Sequence, residues 1–276
     1  MKRVRPKKNL GQHFLEDLAT AQAIADTVDS TPDIPILEVG PGMGVMTQYL
    51  LRKGRQVKVV ELDTESVAWL EENLPQLHGD IIAGDFLKMD LCEVFGGRPF
   101  VLTGNYPYNI SSQIFFKMLE YRDLIPCCTG MIQKEVAERL ASPAGSKAYG
   151  ILSVFVQLYY DVEYLFTVEP GVFNPPPKVR SAVVRLTRNK VREPGCDETL
   201  LRKVVKTTFN QRRKMMRSSI KPLLSELDGK AGGKTPSHTD FLARDVFSLR
   251  PEQLSVADFT ALTNDIAAHY GTTSMP

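Results

Sequence analysis

The residues best suited to chemistry are Asn105, Tyr106, Pro107 and Tyr108, which follow directly on the apolar run "VLTG". Proline fixes its own φ, lacks an N–H to donate and keeps the residue before it extended. A turn stiffened in this way holds two oxygens in a set direction: the side-chain carbonyl of Asn105 and the backbone carbonyl of Tyr106. Paired acceptors suit an exocyclic aromatic amine, a poor nucleophile because its lone pair is delocalised into the ring. Accepting both N–H groups holds the amine in line with an electrophile and favours a pyramidal nitrogen in the transition state. Tyr108 adds a flat face for a base to stack on, worth about 1–3 kcal/mol. Alone, the four residues could equally be a capped turn with two packed aromatics, so the surrounding sequence decides.

Those surroundings point to a nucleoside. Gly40, Gly42 and Gly44 stand between an apolar run and a helical pattern, spaced G-x-G-x-G in "GPGMG". Glycines let the backbone turn sharply and approach a ligand closely, and a helix N-terminus favours negative groups. Glu61 ends the next β-rich run, where a carboxylate can accept both hydroxyls of a ribose. Asp85, in "AGDFL", follows the third and is placed to accept from an adenine amino group. A glycine cluster alone is often just a tight turn. With acids at two successive strand ends it describes a site for an adenosine-containing cofactor. Glycines do not separate a nicotinamide cofactor from S-adenosylmethionine, but an amine clamp does, because it needs a methyl sulfonium to act on.

Such residues must be carried by strands that end side by side. From about residue 34 to 187, β-rich runs alternate with helical patterns: "IPILEV", "QVKVVELD", "DIIAG", "PFVLTGN" and the start of "TGMIQKEVAERL" read as strands. "YGILSVFVQLYY" and "SAVVRLT" read as the last two, and "SSQIFFKMLEY" as a helix with Ser111 or Ser112 as its N-cap. This alternation predicts an α/β fold with a parallel doubly wound sheet. Beyond about residue 197 the pattern is helical only, which divides the chain into residues 1–190 and a smaller α-helical domain, 191–276.

That tail carries "RKVVKTTFNQRRKMMRSSIK", in which Arg202, Lys203, Lys206, Arg212, Arg213, Lys214, Arg217 and Lys221 are uninterrupted by an acid. A merely solvated helix normally interleaves glutamates, so the run reads as an RNA-binding patch that neutralises phosphates. Lys2, Arg3, Arg5, Lys7 and Lys8 would add to the same surface. Over the 276 residues the formal charge is only +2, with 43% hydrophobic and 24% charged residues, an ordinary soluble composition. Cys92, Cys127, Cys128 and Cys196 form no C-x-x-C pair, and His13, His78, His238 and His269 no helix-spaced pair. Neither a disulfide framework nor a metal site is expected, and a reducing cytoplasm fits. The basic start lacks an apolar h-region, and no apolar run approaches the ~20 residues of a membrane span.

Taken in order, "NLGQHFL", "EVGPGMGVMT", "VVELD", "GDFL", "GNYPYNISS", "QKEVAERL" and "VFNPPPKVRSAVVRL" resemble the KsgA-type ribosomal RNA small-subunit adenine dimethyltransferases. The resemblance runs from about residue 9 to 187. It implies a Rossmann-like class I methyltransferase sheet using S-adenosylmethionine, and dimethylation at N6 of two adjacent adenines in a hairpin loop near the 3′ end of small-subunit RNA. It further implies that His13, Leu15, Gly40 and Gly42 lie at the cofactor, with Glu61 at the ribose, Asp85 at the adenine and Asn105 at both methionine end and target amine. Phe173 would sandwich the flipped base opposite Tyr108. One departure is visible, N-Y-P-Y where the family usually has N-L-P-Y; Tyr106 would act through its carbonyl. The expected partner is small-subunit RNA within an immature subunit, bound by a cytoplasmic monomer without metal or membrane. The alternatives are an Erm-type enzyme acting on large-subunit RNA and an assembly factor on the same fold that has lost the reaction.

Overall fold

The short runs Ile36–Val39 and Val101–Thr103 are buried along their whole length, as strands of a parallel sheet are when both faces are covered, and so show no regular polar alternation. The computed structural model describes residues 4–7, 10–31, 33–230 and 237–271. In chain order the elements of its first part are β1 (Phe14–Leu15), α1 (Leu18–Asp26), β2 (Ile36–Val39), α2 (Thr47–Leu51), β3 (Val57–Glu61) and α3 (Thr64–Asn73). They continue with β4 (Ile81–Ala83), α4 (Leu91–Val94), β5 (Val101–Thr103), α5 (Ser111–Glu120), β6 (Cys127–Gln133) and α6 (Lys134–Ala141). After α7 (Ile151–Tyr159) come β7 (Tyr160–Val168), β8 (Phe173–Asn174) and β9 (Ser181–Arg188).

The main sheet has the order β4-β3-β2-β5-β6-β9-β7. From β4 through β6 all neighbours are parallel, but β9 runs antiparallel to both β6 and β7. The sheet is therefore mixed, not wholly parallel as predicted. From β2 the chain builds outward through β3 and β4, then returns to place β5 on the other side of β2. A crevice opens at the carboxyl ends of strands where the order reverses in this way. A two-stranded antiparallel pair, β1 with β8, lies apart from this sheet, with Leu15 opposite Phe173.

The chain forms two compact units: Met1–Ala141 with Tyr160–Asn189, and Ser142–Tyr159 with Lys190–Pro276. It thus crosses between units three times, where the sequence suggests one boundary near residue 190. The reason is α7. Its run reads as a strand in the sequence, yet it is a helix with Leu152 through Val156, Leu158 and Tyr159 buried. Burial on nearly every side erases the face pattern that separates a helix from a core strand. The strand begins only at Tyr160, where Asp161 and Glu163 interleave with apolar residues. The second unit continues with α8 (Glu198–Phe209), α9 (Met216–Ser219), α10 (Lys221–Lys230), α11 (Thr239–Ala243) and α12 (Val256–His269). Asp197 caps α8 by accepting from the Leu200 N–H at 2.6 Å, and a Ser255–Asp258 capping box starts α12. Among the described residues no helix is long and apolar enough to cross a membrane.

Candidate active site

The carboxyl ends of β2, β3, β4 and β5 deliver residues 40–43, Glu61, Asp85 and residues 105–108 to one cleft of about 200 Å³. Gly44, the third glycine of the cluster, does not line it and packs against Leu70 and Leu74. His13 and Leu15 line it as well. At Gly42, φ is +56°, and a Cβ there would come within 2.9 Å of the Phe14 ring. A side chain is thus excluded both by backbone conformation and by space.

Glu61 is buried, and its two oxygens accept from backbone N–H groups of Gly42 (3.0 Å) and Asp63 (2.9 Å). Each carboxylate oxygen retains a second lone pair, which leaves two acceptor positions for a pair of hydroxyls. Burial pushes the Glu61 carboxyl up, and the two N–H bonds pull against it. Asp85 accepts from the Leu87 N–H at 3.0 Å through one oxygen. Beside them Leu62 is 53% exposed on the cleft, an apolar surface suited to a purine ring. A glycine cradle, a tethered carboxylate and a second acid fit an adenosine-containing group such as S-adenosylmethionine.

Beyond the carboxyl end of β5, the Asn105 Nδ2 donates to the His13 carbonyl at 3.2 Å, while no described group donates to its Oδ1. The Tyr106 N–H donates to the Met131 carbonyl at 3.0 Å, and the Tyr106 carbonyl accepts from no described group. Two free acceptors thus follow one another on a stiff corner. The Tyr106 side chain points away into the core: it is 1% exposed, and its hydroxyl donates to the Thr129 carbonyl at 2.9 Å. Space for this ring comes from Gly104 and Gly130, where an added Cβ would approach it to 3.1 and 2.8 Å. That is how a tyrosine is accommodated at this position.

Tyr108 shares a 2.5 Å hydrogen bond with Ser181, and its ring stacks on His13 with centroids 5.4 Å apart. Phe173 does not face Tyr108. It is 4% exposed, belongs to β8, packs in the hydrophobic core and does not line the cleft. The family resemblance implies a base contact for Phe173, but its strand register places it opposite Leu15, and both are buried in the core. The expected serine cap of α5 is also absent: Ile110 occupies the N-cap position without a side-chain bond, and Ser111 instead donates to the Tyr108 carbonyl at 3.3 Å.

Sequence reasoning missed Glu38, which lines the cleft from within β2 at 1% exposure and accepts from the Thr47 hydroxyl at 2.6 Å. The signal was present, since a carboxylate inside an otherwise apolar buried strand is anomalous. Burial pushes its pKa up to about 8. The unfolded chain loses this proton near the ordinary value of 4.5. Between those values the folded state binds the extra proton, so stability falls as pH rises. Glu38→Gln should therefore flatten the decline of melting temperature between about pH 5 and 8. An unchanged slope would show that Glu38 is ionised in the folded protein.

The basic run of the second unit sorts into two sets. Arg202 pairs with Glu198 at 2.8 Å and Lys203 with Glu226 at 2.7 Å. Arg212 donates to the carbonyls of Lys147 (2.6 Å) and Ser146 (3.4 Å) and lies 3.8 Å from Glu252. These three, expected to be free for phosphates, are engaged within the unit by groups distant in sequence or upstream of the run. Lys206, Arg213, Lys214, Arg217 and Lys221 are exposed and make no ion pair with a described residue. Lys2, Arg3 and Lys8 lie outside the described residues.

The family model described as "Ribosomal RNA adenine dimethylase" matches residues 3–234. The protein named ribosomal RNA small subunit methyltransferase A from Bacteroides thetaiotaomicron is 65% identical, covering 96% of each chain. Its namesake from Bacteroides fragilis is also 65% identical, over 96% of this chain and 94% of its own. Among solved structures, a dimethyladenosine transferase from Plasmodium falciparum superposes with a TM-score of 0.77 at 25% identity, covering 94% of this chain and 98% of its own. The 23S rRNA methyltransferase ErmE superposes with a TM-score of 0.63 at 27% identity, covering 91% and 99%.

Proposed function

The chain belongs to the ribosomal RNA adenine dimethylase family, and from that premise we propose that it dimethylates N6 of two adjacent adenines in a hairpin loop near the 3′ end of small-subunit ribosomal RNA. The observation that carries this reading is the pair of free acceptors, Asn105 Oδ1 and the Tyr106 carbonyl, on the same cleft as Glu61 and Asp85. The small-subunit target is supported by the names of relatives at 65% identity; a large-subunit target has its support in ErmE, at 27%.

When bound, S-adenosylmethionine supplies a methyl group on a sulfonium sulfur. Gly40 and Gly42 leave the backbone open to it, Glu61 accepts from its ribose, Asp85 and Leu62 receive its adenine, and His13 and Leu15 line the facing wall. Asn105 and Tyr106 accept the two N–H groups of the target amine, which fixes its direction of attack and stabilises the pyramidal nitrogen. Pro107 holds the corner rigid, and Tyr108 receives the face of the flipped base. An adenine in a loop costs less to unstack than one in a helix, a few kcal/mol. Exposed cations of the helical unit, Lys206, Arg213, Lys214 and Arg217, offset part of that cost by holding phosphates. Two methyls per amine require exchange of the cofactor between transfers. The enzyme acts as a cytoplasmic monomer on immature small subunits.

Incubation with immature small subunits and methyl-labelled cofactor should place up to two methyls on each of two neighbouring adenines. Label found only in large-subunit RNA would transfer the reading to the Erm type. Stoichiometric binding without label would leave an assembly factor.

A further inference from the structure

The N-terminal segment does more than line the cleft. Lys7 Nζ donates to Asp63 Oδ1 at 2.5 Å and reaches Glu65 at 3.1 Å. Gln12 Nε2 donates to the other Asp63 oxygen at 3.4 Å, while Gln12 Oε1 accepts the Lys7 backbone N–H at 2.8 Å. Asp63 is a firm anchor: its side chain is 1% exposed, it caps α3, and its own N–H holds Glu61. Immediately after Gln12, the His13 carbonyl accepts the Asn105 side-chain N–H, and the His13 ring lies on Tyr108. A backbone carbonyl can only accept, so it takes the nitrogen of the Asn105 amide and turns the oxygen the other way. Among the described residues, no group on the sheet fixes that amide.

We infer that Lys7 and Gln12 are positioning residues for the transfer: by docking Leu10–Leu15 on Asp63 they hold the His13 carbonyl where it orients the Asn105 oxygen toward the target amine. The two halves of the site are thereby coupled, since the residue that secures the strap also holds the ribose carboxylate. A misdirected Asn105 would leave the amine with one acceptor, and a small error in orientation costs rate far more than binding. The inference rests on the reading of Asn105 as the amine acceptor.

Lys7→Met combined with Gln12→Leu, in the full chain, tests it. Asp63 keeps its bonds from the Glu65 N–H and the Ser66 hydroxyl, so the apo protein should stay folded with a melting temperature lowered by a few degrees. With small-subunit RNA and saturating cofactor, single-turnover methyl transfer should fall roughly 10-fold, while affinity for S-adenosylhomocysteine changes by less than about 3-fold. Lys7→Arg should retain most of the rate. In the protein alone, the two Asn105 side-chain amide protons should lose the shift difference that a hydrogen bond to His13 imposes. An Asn105 amide signal indifferent to the double substitution overturns the inference whatever the RNA target. A rate defect that vanishes at saturating cofactor overturns it too, leaving the strap as a mere wall of the cleft. A wild-type enzyme inactive on small-subunit RNA refutes the functional reading instead, and the amide signal still decides the strap.

Discussion

Asn105→Ala should lower the methyl-transfer rate by roughly 100- to 1000-fold, as removal of one preorganised transition-state hydrogen bond does elsewhere, and leave RNA affinity within about twofold. The separation follows from where the side chain acts. In the proposed reaction its oxygen meets the amine only after a base has entered the cleft, and strengthens its hold as the nitrogen becomes pyramidal. Phosphate interactions, which dominate affinity, lie on other residues. Asn105→Asp should be nearly as poor although it restores oxygens, because a carboxylate cannot donate to the His13 carbonyl that now accepts from Nδ2. Single-turnover rates with saturating RNA, set beside filter-binding affinities, decide the matter. Equal losses in both would remove the clamp from the account.

The second large effect is expected from Arg213→Glu, Lys214→Glu and Arg217→Glu together. All three side chains are exposed, and no described carboxylate pairs with them. Removing each cation–phosphate pair should flatten the slope of log affinity against log salt by about 0.7–1, and the triple reversal should weaken RNA binding roughly 1000-fold at moderate salt. Arg212, next in line and of the same charge, should behave differently. Its guanidinium already satisfies the Lys147 and Ser146 carbonyls, so Arg212→Ala should destabilise the helical unit and change the salt slope little. Binding isotherms at several salt concentrations distinguish the two classes, and an unaltered slope in the triple variant would return the run to a solvated helix face.

Much of the site could be read without coordinates because its residues sit at fixed offsets from strand ends. A run such as "ILEVGPGMG" states both the strand and the turn after it, and parallel strands in register bring successive turns to one edge. Gly40, Glu61, Asp85 and Asn105 are therefore found by local spacing. What misleads is side-chain direction and long-range pairing. Phe173 is placed at the base by the family resemblance, yet it pairs opposite Leu15 and is buried in the core. Arg202 and Lys203 look unpaired, yet Glu198 lies one turn upstream and Glu226 on another helix.

By itself the sequence determined which residues stand at the strand ends, Gly40, Glu61, Asp85 and Asn105 among them, and the change from α/β alternation to helices, since both are written in contiguous residues whose period and turn type are local properties. Only the tertiary structure decided that α7 is a helix belonging to the second unit, that β9 runs antiparallel, that Lys7 and Gln12 reach Asp63 and that the His13 carbonyl takes the Asn105 amide. Those outcomes depend on which surfaces are buried together and on hydrogen bonds between residues some fifty to ninety positions apart, and no window along the chain contains both partners.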